Sequence, residues 1–113
     1  MRYLLLLYTS EAEWERCTEA EMAAVLREHG ELTRDLEETG RYRGSNALEP
    51  TAAATTLRVR SGKTLVADGP FAETKEQLLG YYLIDARDLD DAMAIAARTP
   101  DAKRGAVEIR PVR

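Results

Sequence analysis

Two segments constrain this chain more than any others, because each reads as a strand that is apolar on both faces. Residues 2–9 are R-Y-L-L-L-L-Y-T and residues 78–84 are L-L-G-Y-Y-L-I. A strand with one solvated face alternates apolar and polar side chains, whereas a strand covered on both faces does not. The leucine run is far shorter than the roughly 20 residues a membrane helix needs. Ser10-Glu11-Ala12-Glu13 follows it where a secretory leader would carry small residues for cleavage. Residues 2–9 are therefore expected to be a buried first strand. The chain has 113 residues, which predicts one domain over 1–113. A domain of this size buries only about two-thirds of its unfolded surface, so cover for a second apolar face is expected from another copy.

Helix signals separate these strands. Ser10-x-x-Glu13 and Thr18-x-x-Glu21 both fit the capping-box pattern. The first predicts a short turn around Trp14. The second predicts a helix over about 19–39, with Met22, Val25, Leu26, His29, Leu32, Thr33 and Leu36 on one stripe. Gly40 stands where a C-terminal cap glycine belongs. Gly30, inside the helix, costs about 1 kcal/mol relative to Ala, which predicts close packing there. Arg41–Leu48 reads as extended. Thr56–Arg60 and Lys63–Ala67 flank Ser61-Gly62 as a hairpin with one apolar and one basic face. Asp88 caps a second helix with Leu89, Ala92, Met93, Ala96 and Ala97 inward, and Pro100 limits it. Val107–Arg110 is the last strand. With the hairpin set aside, the order is βαββαβ. This predicts an α+β, ferredoxin-like fold with an inserted β-hairpin, whose exposed apolar sheet face pairs two copies into a homodimer.

Charge and residue counts exclude several functions. A net charge of −4 argues against a nucleic-acid binder, which is usually basic. Cys17 is the only cysteine; it can form no internal disulfide, suits a reducing cytoplasm, and has neighbours of mixed sign that do not activate a thiol. One histidine with scattered carboxylates gives no metal-ligand spacing. Phosphate-binding glycine loops and nucleophile elbows are also missing, so neither metal nor cofactor is expected.

The candidate chemistry rests on His29, the only histidine, which sits on the inward stripe of its helix. It is either a packed core histidine or a general acid/base, since imidazole titrates near neutrality. The acid proposed to orient it is Asp68, held at the end of the hairpin by the stiff Asp68-Gly69-Pro70 turn; turn formation alone is the competing role. Phe71, the only phenylalanine, follows, then Glu73, Lys75 and Glu76. Lys75 is a candidate for an anionic ligand group. Gly69, Pro70, Phe71, Glu73, Lys75 and Tyr82 complete the candidate substrate-binding set. Adjacent Tyr81 and Tyr82 must point to opposite faces of their strand.

The string V-A-D-G-P-F-A-E-T-K-E-Q-L-L-G-Y-Y-L-I-D-A, the D-L-D-D-A-M-A-I-A-A-R-T-P helix and the ending V-E-I-R-P-V resemble the YCII-related family, in its DGPF-domain branch. The opening M-R-Y-L-L-L-L-Y fits as well, so the resemblance spans the chain. It implies a dimeric α+β barrel of ferredoxin-like subunits. It also implies a His/Asp pair, carried here by His29 and, through the turn, by Asp68. Relatives of this kind include a protein implicated in lactone dechlorination, and the barrel superfamily includes lactone isomerases. Some DGPF proteins are associated with extracytoplasmic-function sigma factors. The expectation is a small cytoplasmic protein that binds or transforms a small organic, anionic or lactone-like molecule by acid–base chemistry, or else a ligand-binding or regulatory module.

Overall fold

The structure is a computed structural model describing residues 1–113. A four-stranded antiparallel sheet forms its centre, from β1 (Arg2–Thr9), β2 (Tyr42–Ala47), β5 (Gln77–Asp85) and β6 (Ala106–Pro111), in the order β2-β5-β1-β6. The two segments apolar on both faces, β1 and β5, are the two central strands. Their register pairs Leu5 with Tyr82 and Leu6 with Tyr81. On β6, Ile109 lies opposite Leu5 and Glu108 opposite Leu6. Tyr3, Leu5, Leu7, Tyr82 and Ile84 consequently share one face, the one under the helices, and all are buried. Leu4, Leu6, Tyr8, Tyr81 and Leu83 lie on the other face, half-buried, with no helix over them.

The helices α1 (Glu11–Glu15), α2 (Glu19–Glu38), α3 (Leu89–Ala96) and α4 (Pro100–Arg104) complete the α+β fold. At α2 the capping box is complete: Thr18 accepts from the Glu21 amide at 3.1 Å, and Glu21 accepts from the Thr18 amide at 3.3 Å. Ser10 caps α1 through the Glu13 amide. At the other end of α2, Gly40 takes a left-handed φ of +71°, which lets the Arg41 amide reach back to the Leu36 carbonyl. Val25, Leu32 and Leu36 bury their side chains. Met22 and Leu26, on the edge of the same stripe, do not; they border a cavity.

Three expectations need correction. The buried stripe of α3 is Asp91, Ala92, Ile95 and Ala96, while Leu89, Met93 and Ala97 are exposed; the helix turns its 91/92/95/96 face to the sheet. Pro100 does not merely limit that helix. It begins α4, with Thr99 as cap and proline at the first position, where the missing N–H costs nothing. Gly30 has open space where a Cβ would be, so no close packing selects it. Gly105, after α4, is the tight position: a Cβ there would lie 2.0 Å from the Tyr8 carbonyl oxygen.

The hairpin, β3 (Thr55–Arg60) and β4 (Lys63–Asp68), forms its own two-stranded sheet apart from the central one. Ser61 and Gly62 both have positive φ, the signature of a tight hairpin turn. No helix of the chain is long and apolar enough to cross a membrane.

Asp91 ties α3 to the residue just before it, Arg87, and to Arg41 in the link between α2 and β2. It accepts from the Arg87 amide at 3.0 Å and meets the Arg41 guanidinium at 3.1 Å. The Arg87 amide holds its carboxyl below the usual range; burial opposes this, and the Arg87 and Arg41 side chains assist. A lowered folded value adds stability above the ordinary carboxylate range, near pH 4, and that stability is lost as pH falls through the folded value. Asp91→Asn is therefore expected to lower the melting temperature at pH 7, with the gap from the parent closing below about pH 4 in matched thermal melts.

Candidate functional site

His29 stands halfway along α2 on its sheet-facing side, where α2 crosses Tyr82 of β5. The imidazole stacks on the Tyr82 ring, with centroids 5.8 Å apart. Its Nδ1 lies 2.7 Å from the Tyr82 hydroxyl. On the other side, Nε2 lies 3.2 Å from Oδ1 of Asp101, whose side chain is 7% exposed. That approach is close enough for an ion pair but is not aligned as a hydrogen bond, and Oδ1 has no other polar partner. Asp101 is presented by α4, which exists because Thr99-Pro100 starts a helix.

The partners fix the proton positions. A carboxylate only accepts hydrogen bonds. A bare Nε2 facing Oδ1 would set two acceptors against each other in a buried place, a costly arrangement. Nε2 therefore carries the hydrogen. In the neutral ring Nδ1 is then the acceptor, and it takes the Tyr82 O–H. When the ring is protonated, Nδ1–H donates to the Tyr82 oxygen and Asp101 offsets the new charge. Burial pushes the Tyr82 phenol above its ordinary range, hydrogen bonding by Thr33 opposes this, and the nearby Asp101 charge adds to it. Tyr82 is thus held as a neutral phenol against a base.

These groups line a cavity of about 990 Å³ between α2 and β2, closed at one end by α1. Leu7, Val25, Leu26, Leu48 and Trp14 give it apolar walls, while Arg34, Glu11, Glu15 and Glu37 are among its charged lining. Glu11 is already engaged by the Thr51 amide and hydroxyl. Arg104 of α4 braces this end: it lies over the Trp14 ring at 4.9 Å, donates to Cys17 Sγ at 3.3 Å and reaches Glu21 at 3.9 Å. The contact with Arg104 accounts for Cys17 as a structural residue at the junction of α1, α2 and α4.

The sequence-derived candidates divide among three places. His29 and Tyr82 line the cavity just described. Gly69, Pro70, Phe71 and Glu73 line a second one, of about 770 Å³, between the base of the hairpin and Tyr8 and Leu78 of the uncovered sheet face. Asp68 and Lys75 line neither. Asp68 ends β4 opposite Thr55, exposed. Within one chain the carboxylate beside His29 is Asp101. Sequence reasoning missed Asp101 because Pro100 was read as a stop; the Thr-Pro-Asp string, a cap followed by proline at the first helical position, was the available signal. No cluster of three metal-ligating side chains is present.

Because the folded chain holds the Tyr82 proton more tightly than an ordinary tyrosine, the resulting stability is full below about pH 10 and is lost as pH rises through the folded value. Tyr82→Phe is expected to cost about 1 kcal/mol at neutral pH, a typical hydrogen bond. As pH rises above about 10 the parent should then lose melting temperature more steeply than the variant. Parallel slopes in the two melting series would contradict the buried phenol.

Comparison with other proteins agrees with the motifs. An uncharacterized protein of Rhizobium meliloti (strain 1021) is 42% identical over 114 residues, covering 99% of this chain and 92% of that protein. The pattern defining the YCII-related domain matches residues 1–113. The chain belongs to the YCII-related family.

Proposed function

We propose that Tyr82, His29 and Asp101 act as one proton-transfer unit on a small organic molecule bound in the cavity between α2 and β2. The observation that carries this reading is the chain of contacts from a neutral phenol to an imidazole to a buried carboxylate, opening on a cavity large enough for a metabolite. Asp101 orients the ring and stabilises imidazolium, His29 accepts the proton, and Tyr82 delivers it or takes it back. Such a unit suits isomerisation, elimination or dehalogenation next to a carbonyl, and a lactone fits this description. Arg34 is the only lysine or arginine in the lining, set among three glutamates, which favours a neutral ligand over an anion.

The fold reading that accompanies this proposal is ferredoxin-like, with two copies joined through the uncovered sheet face into a dimeric barrel. Leu4, Leu6, Tyr8 and Leu83 on that face support it, since apolar patches of this kind mark interfaces.

Proton transfer is testable without knowing the natural substrate. Small lactones and ketones incubated with the protein in deuterium oxide are expected to exchange hydrogen for deuterium next to the carbonyl, followed by NMR. General acid–base groups contribute about 10²–10⁴-fold, so His29→Ala and Asp101→Asn are each expected to slow exchange at least 100-fold. Exchange that survives His29→Ala at the parent rate would refute the reading.

A further inference from the structure

The cavity between α2 and β2 is bordered at three positions by residues with little or no side chain. They are Gly30 on the helix, and Ala47 and Gly80, which face each other across β2 and β5. Gly30 lies inside α2 and Gly80 inside β5. A glycine inside a helix is destabilising, and one inside a strand weakens it and often marks the close approach of another group. A Cβ on Gly30 would meet nothing within 4 Å, so packing does not require the glycine there. A Cβ on Gly80 would lie 3.1 Å from the Asn46 carbonyl oxygen and 3.5 Å from Leu7 Cδ1, which keeps the cavity floor flat. Helix and strand both give up stability around the same empty space.

That space is polarised along α2. The register sets Gly80 beside Leu7, just before Thr9, where β1 ends and the chain passes into α1. Met22, Val25 and Leu26 precede His29 on α2, at this same end, and Trp14 and Leu48 border it as well. Thr33, Arg34 and Glu37 follow His29 and border the other end. The α1 end is therefore apolar and holds no cation. Of its two carboxylates, Glu11 is taken by the Thr51 amide and hydroxyl, at 2.6 and 2.9 Å, and Glu15 is exposed; both disfavour an anion.

We propose that the α1 end of the cavity is a subsite for an uncharged apolar tail of the ligand, an alkyl chain or an aryl ring, and that Gly30, Ala47 and Gly80 set its width. This deepens the proton-transfer reading, from which it takes the ligand's carbonyl group at Tyr82. Met22 lies seven residues before His29, which gives the tail about 10 Å of helix to lie along. On the sheet, the side chain absent from Gly80 would stand about 7 Å from that of Tyr82, on the same face. A helical side chain leans toward the N-terminus of its helix. Any side chain at position 30 would thus lean toward Leu26 and occupy this end, while position 47 is its opposite wall.

The test is a titration followed by the fluorescence of Trp14, the only tryptophan. The probes are γ-valerolactone and γ-nonalactone, which carry a methyl and a pentyl tail on the same ring. Each buried methylene is worth roughly fourfold in affinity, so γ-nonalactone is expected to bind the parent at least about 30-fold more tightly. Gly30→Leu fills the subsite from the helix, and Ala47→Leu fills it from the exposed end of β2. Each is expected to cut the preference to about threefold or less and to leave γ-valerolactone within about twofold of the parent. Gly30→Leu should also raise the melting temperature by about 3 °C, which separates lost binding from lost folding. Equal affinity of the parent for both lactones, a preference that both variants retain, or no binding of γ-nonalactone would overturn the proposal. A tail preference without deuterium exchange would refute the proton unit and leave the subsite standing. Exchange without a tail preference would do the reverse.

Discussion

Asp101 is a buried carboxylate whose Oδ1 has one polar neighbour, the Nε2 of His29. Much of the site depends on that pairing. A buried charge without a donor is costly, so the imidazole cannot turn its proton elsewhere. Once Nε2 carries the hydrogen, Nδ1 is committed to Tyr82, and the three groups behave as a unit whose members cannot be altered singly without exposing another. The ring is 26% exposed, lining the cavity yet held in one orientation by a partner at each nitrogen.

The fold serves this pairing from three directions. Tyr82 is fixed by the central position of β5, bonded to β1 on one side and β2 on the other. His29 is fixed by a helix whose two ends are capped by residues chosen for the purpose, Thr18 with Glu21 and Gly40. Asp101 is fixed by a helix of five residues that would not hold by itself; Thr99, fully buried, caps it, and Arg104 clamps its far end to Trp14 and Cys17. The tight approach of Gly105 to the Tyr8 carbonyl belongs to the same anchorage, since it lets β6 begin directly beneath α4. A substitution at Gly105 would therefore disturb the acid as well as the sheet.

Local signals in the sequence carried most of the fold. Capping boxes, the 3.6-residue stripe of α2 and the Ser61-Gly62 turn are short-range features, and each produced the element it announced. The face of α3 was misjudged because alanine is tolerated both inside and outside, so Ala92, Ala96 and Ala97 do not define a stripe, and Ile95 does. The site was only half legible. His29 stood out as the single histidine on an inward face, but its acid comes from the far end of the chain, through packing of α4 against α2 that no local pattern encodes. Asp68 drew attention because its turn is stiff; stiffness shows where a residue is held, and not what it is held against. The stripe of α2 was read as wholly core, yet Met22 and Leu26 border a cavity, because apolar periodicity cannot distinguish a buried face from one that lines an opening.

His29 is the only histidine in the chain, so every imidazole nitrogen signal belongs to it. A long-range proton–nitrogen correlation spectrum across the titration of the ring is therefore the most direct measurement of the central claim. The account predicts a neutral ring protonated at Nε2 with a bare, hydrogen-bonded Nδ1, and loss of that single tautomer in Asp101→Ala. A ring protonated at Nδ1, or a mixture of tautomers that Asp101→Ala leaves unchanged, would contradict it.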